Sequence, residues 1–163
     1  MPKHLSGPTP FGITIKDAQG SILYGEEGKE YIDLLAGWCV GNIGWKHPRL
    51  VKALAEKQPG YYLPPTVYSD ISENYATKLL ATLPKNLTKI FRATSGSEAV
   101  EFALKLARAA TGKKKIISFG EVYHGHTFGA ASIGSALTEA MSPGVGDIVK
   151  LHLPNEYRFR GDF

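Results

Sequence analysis

The stretch Arg92-Ala93-Thr94-Ser95-Gly96-Ser97-Glu98-Ala99-Val100-Glu101-Phe102-Ala103-Leu104-Lys105-Leu106-Ala107-Arg108 reads as a strand end, a tight turn of small residues and a long amphipathic helix. Such a turn leaves backbone N–H groups pointing forward with no helical partner, and the helix dipole makes that end partly positive. The spacing of Ser95 and Glu98 predicts a capping box, with Ser95 as N-cap. Ala99, Phe102, Ala103, Leu106 and Ala110 recur at helical spacing and predict one buried stripe. Gly112 is placed for a left-handed C-cap. Taken alone, the turn is either an ordinary helix cap or an anion site, most often for phosphate.

Bulk properties narrow the class. The 163 residues suffice for one domain with a core. Hydrophobic residues make up 43% and charged residues 21%, as in an ordinary globular protein. The net charge of +4 is mild, and apart from Lys113-Lys114-Lys115 the cations are scattered, so nucleic acid is not an expected partner. Cys39 is the single cysteine, which excludes a disulfide framework within the chain and fits a reducing, cytoplasmic setting. No apolar run approaches the ~20 residues of a membrane-spanning helix, and the first residues lack the apolar core of a signal peptide.

Residues up to about position 12 read as an extended Pro/Gly-rich arm. Ile13-Thr14-Ile15, Ile22-Leu23-Tyr24 and Tyr31-Ile32-Asp33-Leu34 predict an antiparallel meander, turning at Gln19-Gly20 and Glu27-Gly28. A helix opens at Pro48, with Leu50, Val51, Leu54 and Ala55 on its apolar face, and ends at Pro59-Gly60. An aromatic loop runs from Tyr61 to Tyr68. A second helix spans about Asp70 to Thr82, with Ile71, Tyr75, Leu79 and Leu80 inward. Strand Lys89 to Thr94, helix Gly96 to Ala110 and strand Ile116 to Phe119 then predict an α/β class, with Ile148-Val149-Lys150-Leu151 as a further strand. Ligands of open α/β sheets sit at strand carboxyl ends. That rule places Thr94-Ser95-Gly96-Ser97 and the loop Tyr123-His124-Gly125-His126-Thr127 on one rim, a phosphate cradle beside an aromatic plate.

Four motifs in combination carry a resemblance: Tyr31-Ile32-Asp33, Gly44-Trp45-Lys46-His47-Pro48, Ser95-Gly96-Ser97-Glu98-Ala99 and Tyr123-His124-Gly125-His126-Thr127. From Asp17 to about Tyr157 the chain resembles the N-terminal portion of class III aminotransferases, pyridoxal-phosphate enzymes of fold type I. The resemblance implies residues 1–60 as an arm, meander and helix of the small domain. It implies residues 61–163 as the start of the large cofactor-binding domain. It implies that Gly96 and Ser97, with Ser95 beside them, bind the phosphate of pyridoxal 5′-phosphate, and that Tyr123 stacks on the pyridine ring. His124 is expected next to the cofactor, as a supporting or packing residue. Gly37-Trp38-Cys39-Val40 resembles a stretch lining the substrate pocket of ω-amino-acid transaminases, which makes Trp38 the candidate there. His124 and His126 have no further ligand at metal-site spacing, so no metal is expected.

The family's Schiff-base lysine, its pyridine-pairing aspartate and a carboxylate-binding arginine come later than Phe163 in family chains. The resemblance therefore implies an N-terminal fragment, inactive by itself, whose full-length form is a cytoplasmic homodimer. Its expected reaction moves an amino group from an amino acid or amine to a keto acid. A glutamate-1-semialdehyde-type aminomutase of the same family and a non-catalytic phosphate-binding fragment are the alternatives.

Overall fold

The structure is a computed structural model that describes residues 12–57, 67, 69–137 and 141–155. The expected N-terminal arm, the helix stop at Pro59-Gly60 and nearly all of the aromatic loop, including Tyr61, Tyr62 and Tyr68, lie outside the described residues. Backbone contacts divide the chain into two compact units, Met1–Tyr62 and Leu63–Phe163.

The first unit holds the expected meander. Strands β1 (Ile15–Gln19), β2 (Ile22–Gly25) and β3 (Glu30–Ile32) form an antiparallel sheet in the order β1-β2-β3. β1 begins at Ile15, later than the Ile13 expected from the apolar run. β3 ends at Ile32 because Asp33 turns its carboxylate onto neighbouring donors. Its Oδ1 accepts from the N–H groups of Leu35 (2.9 Å) and Ala36 (2.8 Å), and its Oδ2 accepts from the Trp45 indole at 2.6 Å. These donors hold the Asp33 carboxyl below the usual carboxylate range, the Trp45 N–H contributing most. The Tyr-Ile-Asp and Gly-Trp motifs are thus halves of one local lock.

Element α1 (Ala36–Cys39) is a single left-handed turn. Ala36, Gly37, Trp38 and Cys39 all have φ between 50° and 64°. Helix α2 (Pro48–Lys57) opens at the expected proline. Gly44, at φ +83°, lies where the chain returns to the β1–β2 turn: Gly20 and Trp45 exchange N–H···O bonds of 3.0 and 2.9 Å. Lys46 completes the join with an ion pair to Asp17.

The second unit begins with α3 (Asp70–Leu80), capped by Ser69, whose hydroxyl accepts from Ser72 N. Helix α4 (Gly96–Thr111) starts and stops as expected, with Ser95 as N-cap and Gly112 in the left-handed region at φ +67°. Strands β4 (Ile116–Phe119) and β5 (Ile148–Leu151) pair in parallel, Ile116 opposite Ile148 through Phe119 opposite Leu151. Between them lies α5 (Phe128–Ile133), whose residues Gly129 to Ile133 are all buried. Their small side chains give little helical periodicity, which is why the sequence did not announce this element. Smallness is also what lets the backbone sit against its neighbours, and Ala130 is fully buried. Buried Ser132 is satisfied, donating to Phe128 O at 2.6 Å and accepting from Val145 N at 2.8 Å.

Three expectations are corrected. Lys89–Thr94 forms no strand: a strand needs a laddered neighbour, and among the described residues the parallel sheet consists of β4 and β5 alone. The α4 stripe is not buried: Leu106 is 68% exposed, and no residue of α4 counts as buried. Ile71 and Tyr75 of α3 also face outward. Amphipathic spacing marks the face that wants cover, and the described residues do not supply it. Among these residues no helix is long and apolar enough to cross a membrane.

The Gly44 return gives a test of the first unit. A Cβ at this position would sit in the left-handed region and 3.1 Å from Gly20 Cα, a backbone atom that cannot step aside. Gly44→Ala should destabilise the meander by about 1–2 kcal/mol, read as a lower urea midpoint with unchanged m-value.

Candidate functional site

Helix α4 presents its N-terminus at Ser95, whose extended backbone (φ −155°, ψ 164°) turns the chain into the helix. Ser95 Oγ accepts from Glu98 N at 3.2 Å. The Glu98 carboxylate reaches one residue further back than in a standard capping box. Its Oε2 accepts from Thr94 N (2.5 Å) and Thr94 Oγ1 (2.6 Å). These bonds, the hydroxyl's first, hold the Glu98 carboxyl below its ordinary range. Glu98 is thereby committed to structure. Among the described residues, the N–H groups of Gly96 and Ser97 take no protein acceptor. A Cβ built on Gly96 meets nothing within 4 Å, so the space before the turn is open.

The aromatic loop closes onto this turn. His126 N donates to Ser97 Oγ at 3.2 Å. With that lone pair taken, the Ser97 hydroxyl hydrogen is directed elsewhere, which makes it a donor for an incoming anion. Gly125 is buried with φ +128°, and a Cβ there would lie 2.8 Å from Ser97 Cβ and 2.9 Å from Ser97 Cα. Only glycine allows the loop backbone to come this close to α4. The Gly125 of the His-Gly-His motif is therefore a packing requirement of the site.

Tyr123 lies on the loop with 58% of its surface exposed, and its ring meets the His126 ring edge-on at 5.3 Å between centroids. His124 is half-buried and packs against Gly134, where a Cβ would come 3.3 Å from its Cδ2. The loop is held at its other end too: Ser135 N donates to Val122 O at 2.8 Å, and Lys150 Nζ donates to Gly134 O at 2.8 Å. Ser95, Gly96, Ser97, Tyr123 and His124 all belong to the second unit, and the Ser97–His126 bond joins their two segments. Trp38 belongs to the first unit, on α1, with 79% of its surface exposed. Among the described residues, no group of three or more His, Cys, Asp or Glu is arranged to hold a metal ion.

One residue of the site was not anticipated. Glu101, one turn beyond Ser97 on α4, accepts from Gly129 N (2.8 Å) and Ala130 N (3.1 Å) with Oε1. It caps α5 from a neighbouring helix. The signal was present only as an i, i+4 relation between Ser97 and Glu101, which puts both on one face.

Comparison with known proteins adds the family. The model of the class-III aminotransferase family matches residues 5–161. Acetylornithine aminotransferase of Methanopyrus kandleri is 39% identical over 130 residues, covering 79% of this chain and 33% of the relative. Isoleucine 2-epimerase of Lentilactobacillus buchneri is 33% identical over 154 residues, covering 91% of this chain and 34% of the relative. The solved ω-transaminase of Pseudomonas jessenii in complex with PMP superposes with a TM-score of 0.81 at 30% identity, covering 91% of this chain and 35% of that one. The chain thus spans about a third of the length of these relatives. Its solved neighbours include ω-transaminases of fold type I and a phospholyase from Arthrobacter, and class III aminotransferases depend on pyridoxal phosphate. With its capped turn, its glycine-closed aromatic loop and a family match over nearly all its residues, the chain belongs to the class III aminotransferases.

Proposed function

We propose that this chain supplies the phosphate-gripping and ring-stacking part of a transaminase that moves an amino group from an amino acid or amine to a keto acid. The observation that carries the reading is the closure of the aromatic loop on the α4 turn through Gly125 and Ser97. It ties the loop that carries an exposed tyrosine ring to a helix N-terminus with open space before it. The residues present fit the cofactor: N–H donors and a hydroxyl donor for a phosphate, and a flat ring for a pyridine.

In this reading the Gly96 and Ser97 N–H groups and the Ser97 hydroxyl hold the phosphate, assisted by the α4 dipole, with Ser95 shaping the turn. Tyr123 lies against the ring, and His124 fixes the loop from behind by packing on Gly134. The bound cofactor supplies an electron sink for the carbon bearing the amino group. Trp38 forms a wall of the substrate pocket. Residues 1–60 act as a small-domain segment and residues 61–163 as the start of the cofactor-binding domain of a cytoplasmic homodimer. The transaminase names among its relatives favour this reading over an aminomutase.

Two variants of the full-length protein test it. Side chains on a helix lean toward its N-terminus, so Gly96→Val should fill the open space before the turn. Pyridoxal 5′-phosphate affinity should fall about tenfold or more, the equivalent of one charge-assisted hydrogen bond. Unchanged affinity by equilibrium titration would remove the phosphate assignment. At position 123 the flat ring carries the contact and the hydroxyl is secondary. Tyr123→Ala should lose about 0.5–1.5 kcal/mol of cofactor binding, while Tyr123→Phe stays near wild type. Equal retention by both would make Tyr123 a structural residue.

A further inference from the structure

We propose that Glu101 is a positioning residue for the cofactor site, setting the aromatic loop at its working distance from the phosphate turn; this rests on the function proposed above. The argument begins on one face of α4. Ser97 and Glu101 are one helical turn apart, and both reach the segment C-terminal to Tyr123. Ser97 Oγ takes the His126 N–H, and Glu101 Oε1 takes the N–H groups of Gly129 and Ala130. Thr127, the N-cap of α5, makes no capping bond with its own side chain. Its hydroxyl instead bonds Glu101. The first turn of α5 is therefore capped by a carboxylate from another helix, the charge its dipole favours.

The consequence runs to Tyr123. The loop is clamped before Tyr123 by Ser135 N on Val122 O, and after it by the bonds to Ser97 and Glu101. Ser135 lies just past the C-terminus of α5. The first clamp and the Glu101 half of the second therefore depend on where α5 lies, and Glu101 is its polar anchor to α4. Gly129 is fitted to that anchor: a Cβ there would come within 2.8 Å of the Glu101 carboxyl carbon. The same bonds, Thr127's first, hold the Glu101 carboxyl below its ordinary range, so it is ionised at neutral pH. Glu101 spends its carboxylate on the start of α5 and acts through the loop.

The test uses the full-length protein and pyridoxal 5′-phosphate. Glu101→Ala removes the anchor, and Glu101→Gln keeps an oxygen that accepts from Gly129 and Ala130. Gly129→Ala leaves Glu101 in place but pushes its carboxylate off its donors. Cofactor affinity, the induced circular dichroism of the bound cofactor, and thermal stability without cofactor are measured for each. Affinity should fall about tenfold in Glu101→Ala, in line with loss of hydrogen bonds to a charged acceptor. The dichroic band should weaken, Glu101→Gln should recover most of both, and Gly129→Ala should behave like Glu101→Ala. An unchanged affinity and band in Glu101→Ala overturns the proposal, as does a loss that merely tracks cofactor-free stability. Gly96→Val separates the two readings. If the wild type binds no cofactor, or Gly96→Val binds it undiminished, the proposed function fails and the role of Glu101 with it. If Gly96→Val binds weakly while Glu101→Ala is normal, only the role of Glu101 fails.

Discussion

The contact between Gly125 and Ser97 is the constraint on which the candidate site rests. Two backbone segments far apart in sequence approach so closely that no side chain fits between them. A hydrogen bond from His126 N to Ser97 Oγ fixes the approach. Without it, the α4 turn is an ordinary capped helix end, of the kind found throughout globular proteins. With it, the loop that carries Tyr123 is tied to a turn with open N–H donors. The step from cap to candidate binding site is made by a missing Cβ.

Packing in the second unit obeys the same logic. α5 is built from Phe128, Gly129, Ala130, Ala131, Ser132 and Ile133, mostly residues too small to form a core by bulk. They succeed because the backbone is brought close and its polar groups are satisfied from outside the helix. Glu101 caps one end, and the Ser132 hydroxyl ties the buried middle to Val145 N. Buried polar groups are costly unless paired. Here the pairing decides where α5 lies, and α5 decides where the loop lies.

Legibility in the sequence tracks the range of the interaction. Ser95 as N-cap, Gly112 as C-cap and Pro48 as helix start are local, and each stands where spacing placed it. The meander was legible for the same reason, through turns at Gly20 and Gly28. Its edges moved by a few residues where a tertiary bond intervened, as when Asp33 captured Trp45. The Lys89–Thr94 strand failed because strand formation depends on a neighbour that propensity cannot see. The stripes on α3 and α4 were legible as apolar faces but not as buried ones. At the site, Gly96, Ser97 and Tyr123 were marked by residue type and order. Glu101 was not, because a carboxylate near a helix start already has an explanation in its own helix's dipole.

The left-handed turn of α1 shows the opposite balance, where local preference is overruled. Alanine, tryptophan and cysteine at positive φ each cost about 1–2 kcal/mol against the right-handed form. The turn is held by i→i−4 bonds, Cys39 N to Leu35 O at 2.9 Å and Val40 N to Ala36 O at 3.0 Å. Asp33 enforces its entry by accepting from Leu35 and Ala36, and Trp45 holds Asp33 in place. The Trp45 ring also fills the space beside Gly37, where a Cβ would come 3.0 Å from its Cη2. Strain of this kind persists only where the surrounding structure over-determines it. The outcome is a tryptophan presented outward from an over-determined backbone rather than from a pliant loop. Asp33 and Trp45 thus fix the direction of Trp38 from within the first unit's own packing.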